Sequence, residues 1–326
     1  MSRLSIHSET LYKALQNVST VKWIARKSEF RIDPVRLPLL LLREFLRLLA
    51  TCQSVPRVKR PIIIVHFIGL DAIPAFAARR VTGCKVTLYA VGSEVLGERK
   101  LAQTFFFKWA VKNADLVLCG NGKVETEVRK LGATVTRVLP TPFVPFELEI
   151  DRKREFDVVT AGSLTDGARQ SLLVEASEYL DPSVKIAVIG EGPQRQYLTT
   201  LSRRHGRSQV SFHGDLPPRR LHHALQNSSL YVQCSRHEGT ASSVLEAAYC
   251  GLPIIEVDGD RDPELMKLYG LRLIVPKDRK AISLAIAIQS AMENYSTLLP
   301  DVSKNREALE SYSESWPSMA MAALFS

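Results

Sequence analysis

From about Pro61 to Val275 the chain alternates short apolar runs with stretches of helical period, and this alternation limits the fold more than any other feature. Runs such as Ile62–Phe67, Lys85–Ala90, Leu116–Cys119 and Lys185–Ile189 are largely apolar on consecutive positions, as strands buried on both faces must be. Parallel strands of that kind need helical crossovers, and helical patterns stand between them over Ala72–Val81, Lys100–Asn113 and Lys123–Leu131. Val135–Leu139 closes this first series. Pro140-Thr141-Pro142-Phe143-Val144-Pro145 and the charged Glu147–Glu155 then read as a linker. A second series follows, with strands at Asp157–Ala161, Lys185–Ile189, Val210–Phe212, Leu230–Cys234, Ile254–Val257 and Leu273–Val275. Its helices are predicted at Ser171–Tyr179, Gln194–Arg204, Arg219–Ala224, Ser243–Tyr249 and Arg279–Asn294. The expectation is an α/β protein of two Rossmann-like, doubly wound domains, residues 1–145 and 156–300, facing across a cleft at the carboxyl ends of their strands. The first sixty residues fit this scheme less well: helices at Glu9–Gln16 and Leu39–Leu49, a strand at Thr20–Ile24 and at most Leu4–Ile6 before them make a shortened N-terminal domain.

Chemistry concentrates where strands of the second series end. Gly162-Ser163-Leu164, Gly190-Glu191-Gly192-Pro193 and Phe212-His213-Gly214 each follow a strand, and glycines there let backbone approach a phosphate. A fourth loop, His237-Glu238-Gly239-Thr240-Ala241-Ser242-Ser243, runs into a helix that carries Glu246. Its small residues leave the free N–H groups of that helix open to an anion. Ser243-Val244-Leu245-Glu246 also fits a capping box, in which the glutamate satisfies a backbone N–H and nothing more.

Composition bears on partners. The net charge is +9, from 43 basic and 34 acidic side chains. Residues 1–60 hold twelve Lys or Arg against four Asp or Glu, an excess of eight, so the N-terminal part is expected to meet an anionic partner such as membrane headgroups or a phosphate-bearing acceptor. Leu39–Leu49 is the most apolar window, too short to span a bilayer; it is expected as a core helix on a sheet, with a helix in the membrane-interface plane as the alternative. The basic stretch lacks interleaved aromatics or a helix-turn-helix pattern, which argues against nucleic acid. Five dispersed cysteines without a C-x-x-C pair read as reduced thiols of a cytoplasmic protein. His222-His223 has no nearby ligand set for a metal, Asp258-Gly259-Asp260-Arg261-Asp262 lacks the later residues of a calcium loop and reads as polar surface, and Asn17-Val18-Ser19 carries no weight as a glycan acceptor without a secretory signal.

Taken in order, these loops resemble the donor-binding half of the GT-B glycosyltransferases, specifically the retaining enzymes of glycosyltransferase family four (glycosyl transferases group 1). Val188-Ile189-Gly190-Glu191-Gly192-Pro193 is similar to the family's V-G-x-G-P loop, and Val210-Ser211-Phe212-His213-Gly214 to its V-x-F-x-G strand. Ser235-Arg236-His237-Glu238-Gly239-Thr240 through Leu245-Glu246-Ala247 resembles S-x-x-E-G-[FT]-x-x-x-x-L-E-A, and Cys250-Gly251-Leu252-Pro253 resembles C-G-x-P. Ser315-Trp316 resembles the segment in which the family's last helix returns to the first domain, here expected over 301–326. The resemblance implies a nucleoside-diphosphate sugar as substrate, with no cofactor and no metal. Glu238 would be the catalytic group beside the transferred sugar. Glu246 would hold the ribose hydroxyls. Gly162, Ser163, Arg169, Gly190, Gly192, Gly214, Gly239, Thr240, Ala241, Ser242 and Ser243 would complete the donor site.

The departures are specific. Where the family has G-R-L-x-x-x-K-G, Ser163 takes the arginine position and Ala168 the lysine position, with Arg169 one place on. Val91-Gly92-Ser93-Glu94 stands where relatives often have a histidine before glycine, which makes Gly92, Ser93 and Glu94 the acceptor-side candidates. The glycine-rich loop that normally opens the acceptor domain is missing. The resulting expectation is a retaining glycosyltransferase working in the cytoplasm, peripherally at the inner face of the membrane, on a lipid-linked or surface-polysaccharide acceptor. The alternatives are a catalytically degenerate GT-B protein that binds a sugar nucleotide or a protein partner and, more weakly, a sugar-nucleotide epimerase.

Overall fold

The computed structural model describes residues 37–53, 61–66, 72–96, 101–148, 153–205, 208–235, 242–258 and 263–325. The elements predicted before residue 37 lie outside them, as do Glu238, Gly239, Thr240 and Ala241. Two parallel sheets carry the fold. One joins β1 (Ile62–His66), β2 (Lys85–Ala90), β3 (Leu116–Cys119) and β4 (Thr136–Val138) in sequential order. The other holds β5 (Phe156–Ala161), β6 (Lys185–Ile189), β7 (Gln209–Gly214), β8 (Ser228–Gln233), β9 (Ile254–Glu256) and β10 (Leu273–Ile274) in the order β10-β9-β8-β5-β6-β7. The chain thus builds outward from β5 through β6 to β7, returns past β5 to lay down β8, and continues the other way. That reversal puts a topological switch point between β5 and β8, where open α/β sheets place their ligands.

The burial explains why the strands read as unbroken apolar runs. Val86–Ala90 of β2 and every residue of β8 are buried, so helices cover both faces of each sheet. Around the first sheet run α1 (Leu37–Gln53), α2 (Ala72–Thr82), the short α3 (Ser93–Leu96), α4 (Leu101–Asn113) and α5 (Gly122–Lys130). Asn121 caps α5, its side-chain oxygen accepting from Val124 N at 2.8 Å. Around the second run α6 (Gln170–Ala176), α7 (Arg195–His205), α8 (Pro218–Gln226), α9 (Ser242–Tyr249), α10 (Pro263–Leu268), α11 (Ala281–Glu293) and the part of α12 (Tyr295–Phe325) that precedes Ser315. Their cores are separate, one centred on Val86, Leu88, Val117 and Phe107, the other on Val158, Ile186, Leu230, Val232 and Ile288.

The chain forms two compact units. One is Phe143–Glu314; the other combines the described residues up to Pro142 with those from Ser315. Within the latter, the Trp316 indole N–H donates to the Pro140 carbonyl at 2.9 Å and the Tyr89 hydroxyl lies 3.1 Å from the carbonyls of Leu139 and Pro140. The leucine-rich window departs from expectation. Helix α1 lies along α2, and while Cys52 is buried and Leu48 packs on the core, Leu42 and Leu46 are each 53% exposed. Eight apolar residues in eleven cover more of a helix than one neighbour can hide.

Candidate functional site

The three glycine loops of the second sheet meet through their backbones. Gly162 N donates to Ile189 O at 3.0 Å, Gly190 N to Gly214 O at 2.7 Å, and Leu164 N to Glu191 O at 3.0 Å. Gly162, Gly190 and Gly214 take φ of 156°, 133° and 70°, conformations that a side chain resists. Contact is the second constraint: a Cβ on Gly190 would strike the Gly162 carbonyl oxygen, and one on Gly192 the Leu164 carbonyl oxygen. Sequence reasoning found these four positions, and the structure brings them together at the carboxyl ends of β5, β6 and β7. Ser163 closes the first loop, its carbonyl accepting from the Gln170 side chain at 3.3 Å. On the α6–α7 side of that loop lies an opening of about 410 Å³ lined by Thr165, Asp166, Gln170, Gln194 and Tyr197.

At the switch point itself, contacts appear that no motif announced. The buried Tyr231 hydroxyl stands 3.1 Å from Ala161 O at the end of β5, 3.0 Å from Gln233 Oε1 and 2.9 Å from Ser243 Oγ on α9. Arg169 has φ 49°, the one non-glycine positive φ among the described residues. Holding arginine in that conformation costs about 1–3 kcal/mol and persists only where surroundings impose it. Here its guanidinium donates from Nε to Cys234 O at 3.0 Å and pairs through Nη2 with Asp258 Oδ1 at 2.8 Å. Arg279 Nε meets the same carboxylate oxygen at 2.6 Å. The Asp258 side chain is only 7% exposed, so this residue is not the polar surface expected of it: the aspartate lies inside, between two guanidiniums. Beside it, burial pushes the Cys234 thiol up to about 12.

Glu246 sits on α9, 7% exposed. No capping box forms. Ser243 already lies inside the helix, after Ser242, its Oγ is within reach of the Tyr231 hydroxyl, and the Glu246 carboxylate turns toward α8, with Oε1 3.6 Å from His222 Nε2. Its other oxygen, Oε2, is buried without a hydrogen-bond partner among the described residues. The supposed linker supplies the surroundings. Phe146 stacks on His222 with centroids 3.6 Å apart and planes 11° off parallel, and Phe143 and Phe146 both meet Tyr249 at the end of α9. Tyr249 is fixed from α12: its hydroxyl donates to Glu310 Oε1 at 3.0 Å, and Arg306 Nε donates to its carbonyl at 3.3 Å. Burial, then Glu310, pushes the Tyr249 phenol up to about 12.

In the other unit, Gly92 is buried and its carbonyl accepts from Val95 N and Leu96 N, each at 2.9 Å, so Ser93 and Glu94 open α3. A Cβ on Gly120 would come within 2.5 Å of Val91 O, so the loops after β2 and β3 are in contact. Among the described residues no group of three His, Cys, Asp or Glu is arranged to hold a metal, and no helix is long and apolar enough to cross a membrane.

A doubly wound sheet with glycine loops, a cationic cluster and a buried carboxylate at one switch point fits the GT-B fold, and solved structures agree on that fold. TarM of S. aureus superposes with a TM-score of 0.71 at 17% identity, covering 88% of this chain and 59% of its own. Sucrose-phosphate synthase of Thermosynechococcus elongatus gives 0.70 at 19%, covering 94% and 81%. Anabaena HepE, solved with UDP and glucose, gives 0.67 at 13%, covering 85% and 81%. Residues 145–316, just over half of the chain, match the family model of the glycosyl transferases group 1. The chain belongs to that family. Among curated proteins it is 28% identical over 193 residues to a Bacillus subtilis protein named as the teichuronic acid biosynthesis glycosyltransferase TuaC. That match takes in 55% of this chain and 48% of TuaC, so the chain spans about half the length of this curated relative.

Proposed function

We propose that the protein is a retaining, metal-independent glycosyltransferase that moves a sugar from a nucleoside diphosphate to a glycan or lipid-linked acceptor. The observation that carries this is Glu246: a buried carboxylate beside the switch point with one oxygen left unpartnered among the described residues. An ionised carboxylate accepts hydrogen bonds only, so a vicinal diol such as ribose completes it. The diphosphate would lie against Gly162, Gly190, Gly192 and Gly214 and the amino end of α9, with Ser242 and Ser243 there. The positive cluster of Arg169 and Arg279 about Asp258 compensates its charge where Ser163 and Ala168 offer none. Glu238 is assigned to the transferred sugar, and Gly92, Ser93 and Glu94 to the acceptor side. HepE was solved with UDP and glucose, which supports a sugar nucleotide; the name of TuaC supports a surface polysaccharide as product.

The test is transfer from UDP-, GDP- and ADP-sugars, in EDTA, by the parent and by Glu238→Ala and Glu246→Ala. Full activity in Glu238→Ala removes this mechanism. One observation favours a second reading, a protein that binds a sugar nucleotide without turnover: Arg169 is committed to Asp258 and Cys234 O, leaving the first loop without a free cation of its own. Tight nucleotide binding with no transfer to any acceptor would select it.

Contact with the inner face of the membrane belongs to the same proposal. Arg43 and Arg47 flank the exposed Leu42 and Leu46 on α1, and residues 1–60 carry most of the net charge. Sedimentation with phosphatidylglycerol vesicles, lost with phosphatidylcholine alone and weakened in Leu42→Glu/Leu46→Glu, is the expected result.

A further inference from the structure

We propose that His222 is a positioning residue for nucleotide recognition: it draws Oε1 of Glu246 toward α8 and so presents Oε2 to the ribose. This rests on the nucleotide-donor reading above and adds a residue that the family motifs do not contain. The geometry is closed on three sides. Glu246 and Tyr249 are three residues apart on α9 and so share a face. Phe146 bridges that face, stacking on His222 at 3.6 Å and meeting Tyr249 edge-on at 5.0 Å with planes 67° apart. With its plane fixed, the imidazole aims Nε2 at Oε1 from 3.6 Å, an electrostatic distance too long for a hydrogen bond.

A proton on Nε2 presents a positive edge to the carboxylate whether the ring is neutral or charged. One oxygen is thereby held, and the carboxylate cannot rotate both oxygens away from the ligand. The cost is visible in the resting protein. Among the described residues Oε2 is buried and unpartnered, a state that natural structures keep rare and that a ligand hydroxyl would relieve. His222 itself is kept from solvent, its side chain 17% exposed, between Phe146 and Glu246.

The experiment is calorimetric. UDP, GDP and ADP are titrated into the full chain, and the tightest of the three is compared with its 2′-deoxy counterpart. The parent is expected to prefer the ribonucleotide by about ten- to a hundredfold, the range for hydrogen bonds to a charged group. In His222→Ala that preference should fall below about threefold while the deoxynucleotide binds as before. His222→Gln, whose amide can still donate to Oε1, should restore most of it, and Phe146→Leu should give an intermediate ratio. A His222→Ala protein that melts normally yet keeps the full preference overturns the proposal and leaves the donor reading intact. A parent that binds none of the three diphosphates, or binds one without distinguishing the sugar, overturns both.

Discussion

Replacing Glu246 with leucine should make the protein more stable and less able to hold a nucleotide. The carboxylate is 7% exposed, and among the described residues its nearest cation-forming group is His222 Nε2 at 3.6 Å. At an effective dielectric of 20 a full charge pair at that separation attracts by about 5 kcal/mol, but both groups must first leave water at several kcal/mol per ion. Oε2 has no hydrogen bond to offset its share. Leucine removes a buried acceptor that has no partner among the described residues, and such a group costs about 1–3 kcal/mol. Leucine also suits the helix. For a unit of this size each kcal/mol is worth about 2–4 °C, so melting followed by circular dichroism should rise by about 2–12 °C. The ribose would lose hydrogen bonds to a charged acceptor worth about 1.5–3 kcal/mol each, so the Kd for the preferred nucleoside diphosphate should rise at least tenfold. A variant that melts lower and binds as before would refute the reasoning and return Glu246 to a part in holding the helix.

Three further outcomes are expected. Gly190→Ala sets a Cβ on the Gly162 carbonyl at φ 133°, and backbone cannot yield as a side chain would; a loss of about 2–4 kcal/mol in urea unfolding and weaker nucleotide binding should follow. The Tyr249 phenol is raised to about 12 by burial and then by Glu310, so the fold favours its neutral form. That contribution is whole below the ordinary tyrosine value near 10 and is lost as pH rises through about 12; Tyr249→Phe should flatten the fall in unfolding midpoint between about pH 10 and 12. All five cysteines are buried, and Cys234 is raised to about 12, so a disulfide reagent should titrate none of them at pH 8 in the native protein and all five in guanidinium.

What could be read in the sequence is what local physics encodes. Strand ends and the four glycines were legible because each is fixed within a few residues, by an apolar run and by a turn that only glycine makes easily. Helix α1 was legible as a helix, since its period lies in the window itself, but not in its burial, since Leu42 and Leu46 depend on what lies beyond the window. His222 read as one more basic position on α8 because nothing near it in sequence shows that Phe146 would stack on it or that Glu246 would face it.

The clearest case is Asp258. As sequence it stands in a short polar run and passes for surface; as structure it is the buried centre of an ion cluster. The difference is made by strand order. In the order β10-β9-β8-β5-β6-β7, the residues that follow β5, β8 and β9 stand side by side, which is how Arg169, the Cys234 carbonyl and Asp258 come within 3.0 Å of one another's partners. No local pattern states that order. Two guanidiniums on one carboxylate leave a single positive charge at the carboxyl ends of these strands. The loop motif, with Ser163 and Ala168 where basic residues were expected, left Arg169, one place on, as the one candidate cation and gave no sign of Arg279. The cation is therefore supplied from Arg169, forced into a left-handed turn, and from Arg279 just ahead of α11, and the strain at Arg169 is the local sign of a long-range arrangement.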